Sequence, residues 1–439
     1  MLFLKENSAY NITNIRRILI ATQIECFQLK FKRMQKAKIS LREYPTQFWL
    51  MFCGMFLSTV GTSMIWPFLM IYISEKLDQT LTAATSLLTI NAFTSLCTSF
   101  IAGIITDKLG RKWVMVFSLI GNGLVYLLMG QALTLTHFTI LMIFWGFFNP
   151  LYRVGGDAMV ADLIQPSKRP DAYALLRMSN NVGIAIGPAI GGFIATSSYN
   201  IAFICASAGL LSYGALLLLF GHETLPKQDQ PTTDIYEFLS GYKLVFRNRP
   251  FMLLVTSFAL AQMAVVPIWV LMSVYAKAEH GIPESQFGLI ATTNAILVVL
   301  FQLPMTHRTK RYPPIMIMIV STAIYAVAVG AVAIATNFWG FWSCMVCMTI
   351  GELMLVPTVS SFAANMAPID MRGRYLSIFG MTWGIASGIS SLIGGLLSDT
   401  FGPQFIWYGA ALMGSFGVVC FYLLGHAVRD QQSLVNLGS

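Results

Sequence analysis

Long apolar runs, separated by short polar segments, repeat along almost the whole chain. A helix needs about 20 mainly apolar residues to cross the hydrocarbon core of a bilayer. Runs of that length start after residue 46 and predict twelve membrane-spanning helices. The predicted spans are residues 47–73, 81–106, 113–134, 138–162, 176–198, 201–220, 251–275, 285–306, 315–335, 338–363, 375–398 and 404–427.

The longest interior polar stretch divides these spans into two sets of six. It covers residues 221–250 and follows the sixth span. We therefore predict a basic tail at 1–46, six-helix bundles at 47–220 and 251–428 joined by that stretch, and a second tail at 429–439. The predicted fold class is an all-α integral membrane protein.

The tail at residues 1–46 contains no apolar run long enough to span a bilayer. Its segment Ile18–Ile24 is consistent with a helix on the membrane surface. Alternatively, translation starts at Met34, whose sequence Met-Gln-Lys-Ala-Lys leads into the first span. Because residues 1–33 precede Met34 and contain no spanning segment, we predict that they are dispensable.

The two predicted bundles repeat each other at a nearly constant spacing, which indicates internal symmetry. The matching positions are Pro67 with Pro267, Arg111-Lys112 with Lys310-Arg311, Pro166 with Pro368, and Gly191-Gly192 with Gly394-Gly395. Two similar bundles around a central site are an arrangement of solute transporters, in which rocking of the bundles exposes the site to each side alternately.

Composition and charge agree with a protein in lipid. Of the 439 residues 56% are apolar and 11% are charged, whereas a soluble domain carries about 25% charged residues. Nearly all Lys and Arg fall in the tails and in alternate loops; Lys76, Lys277 and Arg153 are the exceptions. The positive-inside rule then puts both termini in the cytoplasm. The same rule explains the net charge of +9 without any binding of nucleic acid.

The loop after the second span carries a specific motif. It runs from Gly103 to Lys112 and contains Asp107, Lys108, Gly110 and Arg111. Gly103 is expected to let another helix approach closely, and Gly110 to permit a tight turn. Asp107 supplies a negative charge at the cytoplasmic end of its span, where it suits a neighbouring helix N-terminus.

This motif resembles the loop signature of the major facilitator superfamily. The resemblance implies that Asp107 and Arg111 hold the two bundles together on the cytoplasmic side. The corresponding segment of the second half, Thr306 to Arg311, lacks the aspartate and the glycines. The loop from Asp162 through Arg177 resembles another inner loop of the family.

The fifth span contains glycines one helical turn apart, which predict a smooth face for close helix packing. They are Gly183, Gly187 and Gly191, followed by Gly192, with Pro188 expected to bend the helix. This run is similar to the helix-5 signature of drug:proton antiporters in the superfamily, although small-residue packing alone also explains it.

Ionisable residues inside spans are costly, so each is a candidate for function. Glu352 in the tenth span is interpreted as a proton-coupling or cation-binding group, or as a structural hydrogen-bond acceptor. Arg153 and Asp157 lie one turn apart in the fourth span and favour an internal salt bridge over a proton-coupling role. Both sites lie near the predicted midplane.

Aromatic residues occupy matching places near the kinked first and seventh spans. Trp66 lies beside Pro67, and Trp269 lies near Pro267. With Gln262 they are predicted to line a cavity for apolar, often cationic, solutes, although interfacial anchoring explains Trp66 equally well.

The sequence contains no pattern for nucleotide binding, metal ligation or nucleophilic catalysis, so no cofactor and no enzymatic activity are expected. We predict a monomeric transporter in the cell membrane, with a small-molecule solute, protons and the lipid bilayer as its partners. The favoured mode is proton-coupled efflux of small hydrophobic or cationic compounds. The alternatives are transport of a metabolite such as a sugar, organic acid or peptide, and a receptor or scaffold that transports nothing.

Overall fold

The computed structural model of the protein describes four stretches of the chain. They are residues 44–166, 168–225, 242–368 and 371–437. The predicted tail before residue 44, with its dispensable segment 1–33, lies outside the described residues, as does the central loop at 226–241. Within the described residues every regular element is helical.

Twelve long helices make up the described stretches. They are α1 Thr46–Leu77, α2 Leu81–Leu109, α3 Arg111–Gln131, α4 Leu135–Leu163, α5 Arg169–Ser197, α6 Tyr199–Phe220, α7 Arg249–Val270 with its continuation Met272–His280, α8 Glu284–Thr309, α9 Pro314–Ile334, α10 Phe338–Met366, α11 Arg372–Gly380 continued by Thr382–Phe401, and α12 Phe405–Leu437.

Ten of these helices are long and apolar enough to cross a membrane. The other two, α4 and α5, have 29 residues each. At 1.5 Å per residue each is about 43 Å long, which suffices to span, but Arg153, Asp157 and Arg177 make them more polar. The predicted all-helical membrane fold is therefore confirmed.

Side chains in the loops define where several helices begin. The side-chain oxygens of Thr80, Thr134, Asn248 and Asn337 each accept a hydrogen bond from a backbone N–H three residues later, which satisfies a group that the helix leaves unpaired. Pro67 interrupts α1, where residues Trp66–Phe68 form a short 3-10 turn, because proline has no N–H to donate to the preceding turn.

Most helix packing occurs within each set of six. In the first set α2 packs on α4 and α3 packs on α4 and α6; in the second, α7 and α9 pack on α12 and α8 packs on α10. The two sets meet mainly through two helix pairs, α2 with α11 and α5 with α8. Smaller contacts of residues 66–77 in α1 with α7 and α8 complete the interface between the halves.

Two glycine pairs, one in each half, occupy corresponding places at this interface. A Cβ atom at Gly191 would overlap α1 of its own half, whereas one at Gly192 would overlap the backbone of α8. In the second half a Cβ at Gly394 would overlap the side chain of Leu271, and one at Gly395 would overlap α2. In each pair the first glycine packs within its half and the second packs across to the other.

The pair α2 and α11 is in contact at one end and apart at the other. Gly395 and Gly388 both lie against α2, but a Cβ atom at Gly384, Gly380 or Gly103 would meet no atom within 4 Å. The predicted close helix approach at Gly103 is thus absent from this conformation. We call the end of the molecule that holds the first turn of α2 the tight end, and the opposite end the open end.

Candidate functional site

A cavity of about 950 Å³ lies between the two sets of helices. Residues from both halves line it, including five of the six that the sequence singled out. These five are Trp66, Arg153, Gln262, Trp269 and Glu352. Asp157, the sixth, is not among the lining residues.

The Glu352 carboxylate is held in the cavity wall by one amide. Asn294 Nδ2 donates a hydrogen bond of 2.8 Å to Glu352 Oε2 and one of 2.9 Å to Thr349 Oγ1. Thr349 in turn donates to the carbonyl oxygen of Met345 at 2.7 Å. The hydroxyl hydrogen of Thr349 is used in the bond to Met345, so Thr349 Oγ1 can only accept from the Asn294 amide. The Asn294 NH₂ group, rather than its oxygen, therefore faces Thr349 and Glu352.

The predicted salt bridge between Arg153 and Asp157 is not formed. The two side chains are close enough to interact electrostatically, but within the described residues neither belongs to an ion pair. The helical spacing of one turn brings the two residues to one face, yet only Arg153 lines the cavity. The backbone carbonyl oxygen of Asp157 accepts a hydrogen bond of 3.0 Å from the Tyr173 hydroxyl.

Arg177 is a cavity residue that sequence reasoning assigned to an inner loop. Arg177 is the second residue of the predicted span at 176–198, but the structure starts α5 at Arg169, so Arg177 lies two turns inside the helix and lines the cavity. It interacts electrostatically with Glu352 across the cavity. The signal for the earlier start was available, since Pro170 and Asp171 are typical of a first helical turn.

Aromatic side chains form a cluster on the wall contributed by the first half. The rings of Trp66 and Trp145 meet edge-to-face with centroids 5.4 Å apart, and Tyr126 meets Trp145 in the same way at 5.9 Å. All three line the cavity, as do Trp269 and Trp383 from the second half. The cavity therefore combines broad apolar surfaces with a few polar groups, as solute-binding sites do.

At the tight end, charged groups join the two halves. Lys277 Nζ lies 2.6 Å from Glu75 of α1 and 2.6 Å from Glu284 of α8. Tyr199 of α6 also donates a hydrogen bond of 2.6 Å to Glu284. Asp399 at the end of α11 accepts hydrogen bonds from the first two N–H groups of α2, an arrangement that the positive N-terminal end of a helix favours.

Burial and hydrogen bonding shift the pKa of the Lys277 ammonium group in opposite directions. Burial lowers the pKa of Lys277, but the hydrogen bonds and charges of Glu284 and Glu75 prevail, so the pKa of Lys277 lies above its usual value. A group with a raised pKa contributes fully at pH values below its ordinary pKa, about 10.4 for lysine. The contacts of Lys277 therefore persist throughout the physiological pH range.

At the open end, the predicted loop motif is anchored within the first half. Arg111 lies 3.1 Å from Asp107 and 3.0 Å from Asp162 at the end of α4. Gly110 adopts a φ of 94°, a conformation that favours glycine. Glu223 accepts hydrogen bonds from the backbone N–H groups of Arg111 and Lys112, which caps α3.

The outcome for this motif differs from what the family resemblance implies. The ion pairs of Arg111 connect α2, α3 and α4, all of which belong to the first half. Lys112 Nζ donates to the carbonyl oxygen of Leu218 in α6, and Lys108 is exposed. In this conformation the ion pairs of Arg111 connect three helices of one half, and the hydrogen bond of Lys112 adds a fourth; neither joins the two halves.

The glycines of α5 lie against α1. A Cβ atom at Gly183 would come close to Thr59, and one at Gly187 would overlap Ser63. Ser63 Oγ also donates to the carbonyl oxygen of Gly183 at 3.1 Å. Pro188 lines the cavity. Its carbonyl oxygen lies so close to Gly288 of α8 that a Cβ atom on Gly288 would overlap it.

Two sets of helices around a shared cavity, with one end tight and the other open, define a membrane transport protein. Residues 51–275 and 258–436 match the Major Facilitator Superfamily. The chain belongs to that family and is a multi-pass membrane protein.

Its sequence is similar to those of several bacterial transporters. It is 25% identical over 424 residues to a Na(+), Li(+), K(+)/H(+) antiporter of Planococcus maritimus, a match that covers 88% of this chain and 96% of the relative. It is 24% identical over 382 residues to the quinolone resistance protein NorA of Staphylococcus aureus, covering 84% of this chain and 94% of NorA.

The fold is similar to those of solved transporter structures. A POT family transporter in complex with 5-aminolevulinic acid superposes with a TM-score of 0.74 at 14% identity, covering 87% of this chain and 95% of that one. A bacterial homolog of the human lysosomal transporter Spinster, in an inward-facing and unoccupied conformation, gives a TM-score of 0.72 at 11% identity, covering 86% and 96%. At these identities the likeness concerns the fold alone.

Proposed function

We propose that this protein is a proton-coupled secondary transporter that exports small, largely apolar compounds by alternating access. One observation carries the proposal: the Glu352 carboxylate lies in a cavity shared by both halves, where its one neutral hydrogen-bond donor among the described residues is Asn294. A carboxylate in such a place exchanges protons with whichever side the cavity faces.

The relatives support proton coupling and efflux. The similar protein of Planococcus maritimus is named as an antiporter that exchanges cations for protons, and NorA is named for quinolone resistance. In this chain the aromatic cluster of Trp66, Tyr126 and Trp145 would bind the apolar part of a solute. The protein would act as a monomer.

The orientation follows from the distribution of positive charge. Lys and Arg are concentrated at the open end, around the junctions of α2 with α3 and of α8 with α9, as expected for the cytoplasmic side. We infer that both termini are cytoplasmic, that the protein lies in the cell membrane, and that the cavity faces the cytoplasm. The bundles at 47–220 and 251–428 would then rock about the helix pairs that join them.

The test compares the parent protein with Glu352→Gln in liposomes that carry an imposed proton gradient. Glutamine keeps the size and hydrogen bonding of glutamate but cannot ionise, so the variant should still exchange solute downhill while failing to accumulate it. Glu279→Gln, an exposed position outside the cavity, is the matched control and should behave as the parent. Uphill transport by Glu352→Gln with unchanged proton movement would refute the coupling role of Glu352 and assign coupling to Asp157.

A further inference from the structure

The charged groups of the cavity wall are distributed unequally between the two halves. Among the lining residues, the first half contributes two cations, Arg153 and Arg177, and the second half contributes one anion, Glu352. A solute in the cavity thus meets more positive than negative charge. This distribution is the reverse of what a purely cationic solute would require.

The two arginines are also free to bind a ligand. Neither guanidinium group forms a hydrogen bond or an ion pair with a protein group among the described residues. By contrast, the carboxylate of Glu352 already accepts a hydrogen bond from Asn294. A guanidinium group offers five N–H donors in a planar fork that matches a carboxylate, and leaving such donors unused inside a membrane protein is costly.

Neighbouring amides add donors to the same wall. Asn180 and Asn181 follow Arg177 by one turn on α5, and both line the cavity. Asn180 uses its oxygen to accept a hydrogen bond of 3.1 Å from the Thr59 hydroxyl. This bond turns the Asn180 NH₂ group, which has only donors, away from Thr59 and leaves it available for an anionic ligand.

We propose that the cavity binds amphipathic organic acids, with the carboxylate on Arg153 and Arg177 and the apolar body against Trp66 and Trp145. This inference rests on the proposed function, because it assumes that the cavity is the transport site. It replaces the cationic solutes expected from the sequence with anionic or zwitterionic ones. Charge-assisted, bidentate hydrogen bonds supply the selectivity for the acid.

Three probes that share one ring system and differ only in charge test the proposal. They are naphthalene-2-acetic acid, its neutral amide, and 2-(2-naphthyl)ethylamine. Equilibrium binding to the purified protein in detergent, without any gradient, is measured by competition and by the rise in unfolding temperature. The acid should bind roughly tenfold more tightly than the amide, which corresponds to about 1.4 kcal/mol, and the amine should bind most weakly.

Substitutions of the two arginines test whether they produce the preference for the acid. Arg177→Gln and Arg153→Gln should each reduce the preference for the acid, and Arg177→Lys should restore part of it. Arg308→Gln, at an exposed position outside the cavity, should keep the full preference. Equal binding of acid and amide by the parent, or tighter binding of the amine, would overturn the proposal, as would an unchanged preference in folded Arg177→Gln.

The failure of this inference is distinguishable from the failure of the proposed function. Selectivity for the acid is measured at equilibrium, whereas proton coupling is measured as uphill transport. A protein that prefers the amine but loses uphill transport in Glu352→Gln contradicts only the inference. A protein that prefers the acid yet transports uphill in Glu352→Gln contradicts only the coupling role of Glu352.

Discussion

The tight end and the open end of this transporter use charged residues for different purposes. At the tight end Lys277 of the second half contacts Glu75 of the first half, and Asp399 caps α2 of the opposite half. At the open end Arg111 pairs with Asp107 and Asp162 of its own half.

In the proposed alternating-access cycle, this difference identifies the contacts that would change. Contacts that join the halves must break when the halves rock apart, whereas contacts within one half are kept in both conformations. The tight end thus contributes to the energy difference between the two conformations, and the open-end network of Arg111 keeps the first half rigid. The glycine pairs follow the same rule, since one member packs within a half and the other across it.

The largest expected effects come from the neighbouring residues Gly191 and Gly192. A Cβ at Gly191 overlaps the backbone of Met64 in the same half, so Gly191→Ala should impair folding and yield. A Cβ at Gly192 overlaps the backbone of Glu284 in the other half, so Gly192→Ala should fold but separate the halves at the tight end. Gel filtration measures the first effect, and alkylation of a cysteine placed at Thr85, which is buried against Gly395 of the other half, measures the second.

If Gly191→Ala and Gly192→Ala behave alike, the distinction between contacts within a half and contacts across the halves is wrong. Equal loss of folded protein would mean that both glycines are needed for one rigid core. Normal alkylation in folded Gly192→Ala would mean that the contact between α5 and α8 tolerates a methyl group without separating.

The parts of the site that were predicted share one signal in the sequence. Glu352 and Arg153 stand out because a charge within an apolar span is rare, and Trp66 and Trp269 because they lie beside prolines in matching spans. Arg177 carried the same signal but was assigned to the inner loop, because it stands at the edge of the predicted span while its helix starts at Arg169. An arginine assigned to an inner loop simply follows the positive-inside rule.

The tight end could not be predicted from the sequence. Glu75, Lys277 and Glu284 lie near the ends of spans, where charges usually face water. Their contact depends on how α1, α7 and α8 meet, and no local pattern encodes that arrangement. Likewise, Asp162 and Glu223 were not recognised as partners of the Arg111 segment, because both come from other parts of the chain.

The next effect concerns Lys277. In Lys277→Met the buried Glu284 carboxylate keeps its bond to Tyr199 but loses its cation, which costs about 1–3 kcal/mol and shifts the conformational equilibrium roughly 5- to 150-fold. We expect faster alkylation of a cysteine at the buried Thr85 position and slower transport. Lys277→Arg keeps the charge and should retain most activity.

The pH dependence separates the tight end from the cavity. Because the pKa of Lys277 is raised, its charge does not change between about pH 5 and pH 9. The pH profile of transport should therefore be the same in Lys277→Arg and in the parent. A shifted profile would assign proton sensing to the tight end.

A smaller effect is expected at the open end. Asp107→Asn removes one of the two carboxylates that pair with Arg111 and leaves Asp162 in place. The variant should insert and purify normally and transport several-fold more slowly, in keeping with roughly 1 kcal/mol for a partly exposed pair. Alkylation at Thr85 should match the parent; an increase there would mean that Asp107 acts on the interface between the halves. Normal turnover would remove Asp107 from the transport cycle.

Alternating access itself is tested most directly by two distances along the same helix pair. Spin labels at Gln79 and Thr400 report the tight end of α2 and α11, and labels at Lys108 and Ser377 report the open end; all four positions are exposed. Double electron–electron resonance is recorded in a background without the seven cysteines, for the parent and for Lys277→Met. We predict that the tight-end distance lengthens and the open-end distance shortens in the same fraction of molecules. Two distances that lengthen together, or an open-end distance that stays fixed while the tight end separates, would contradict the account.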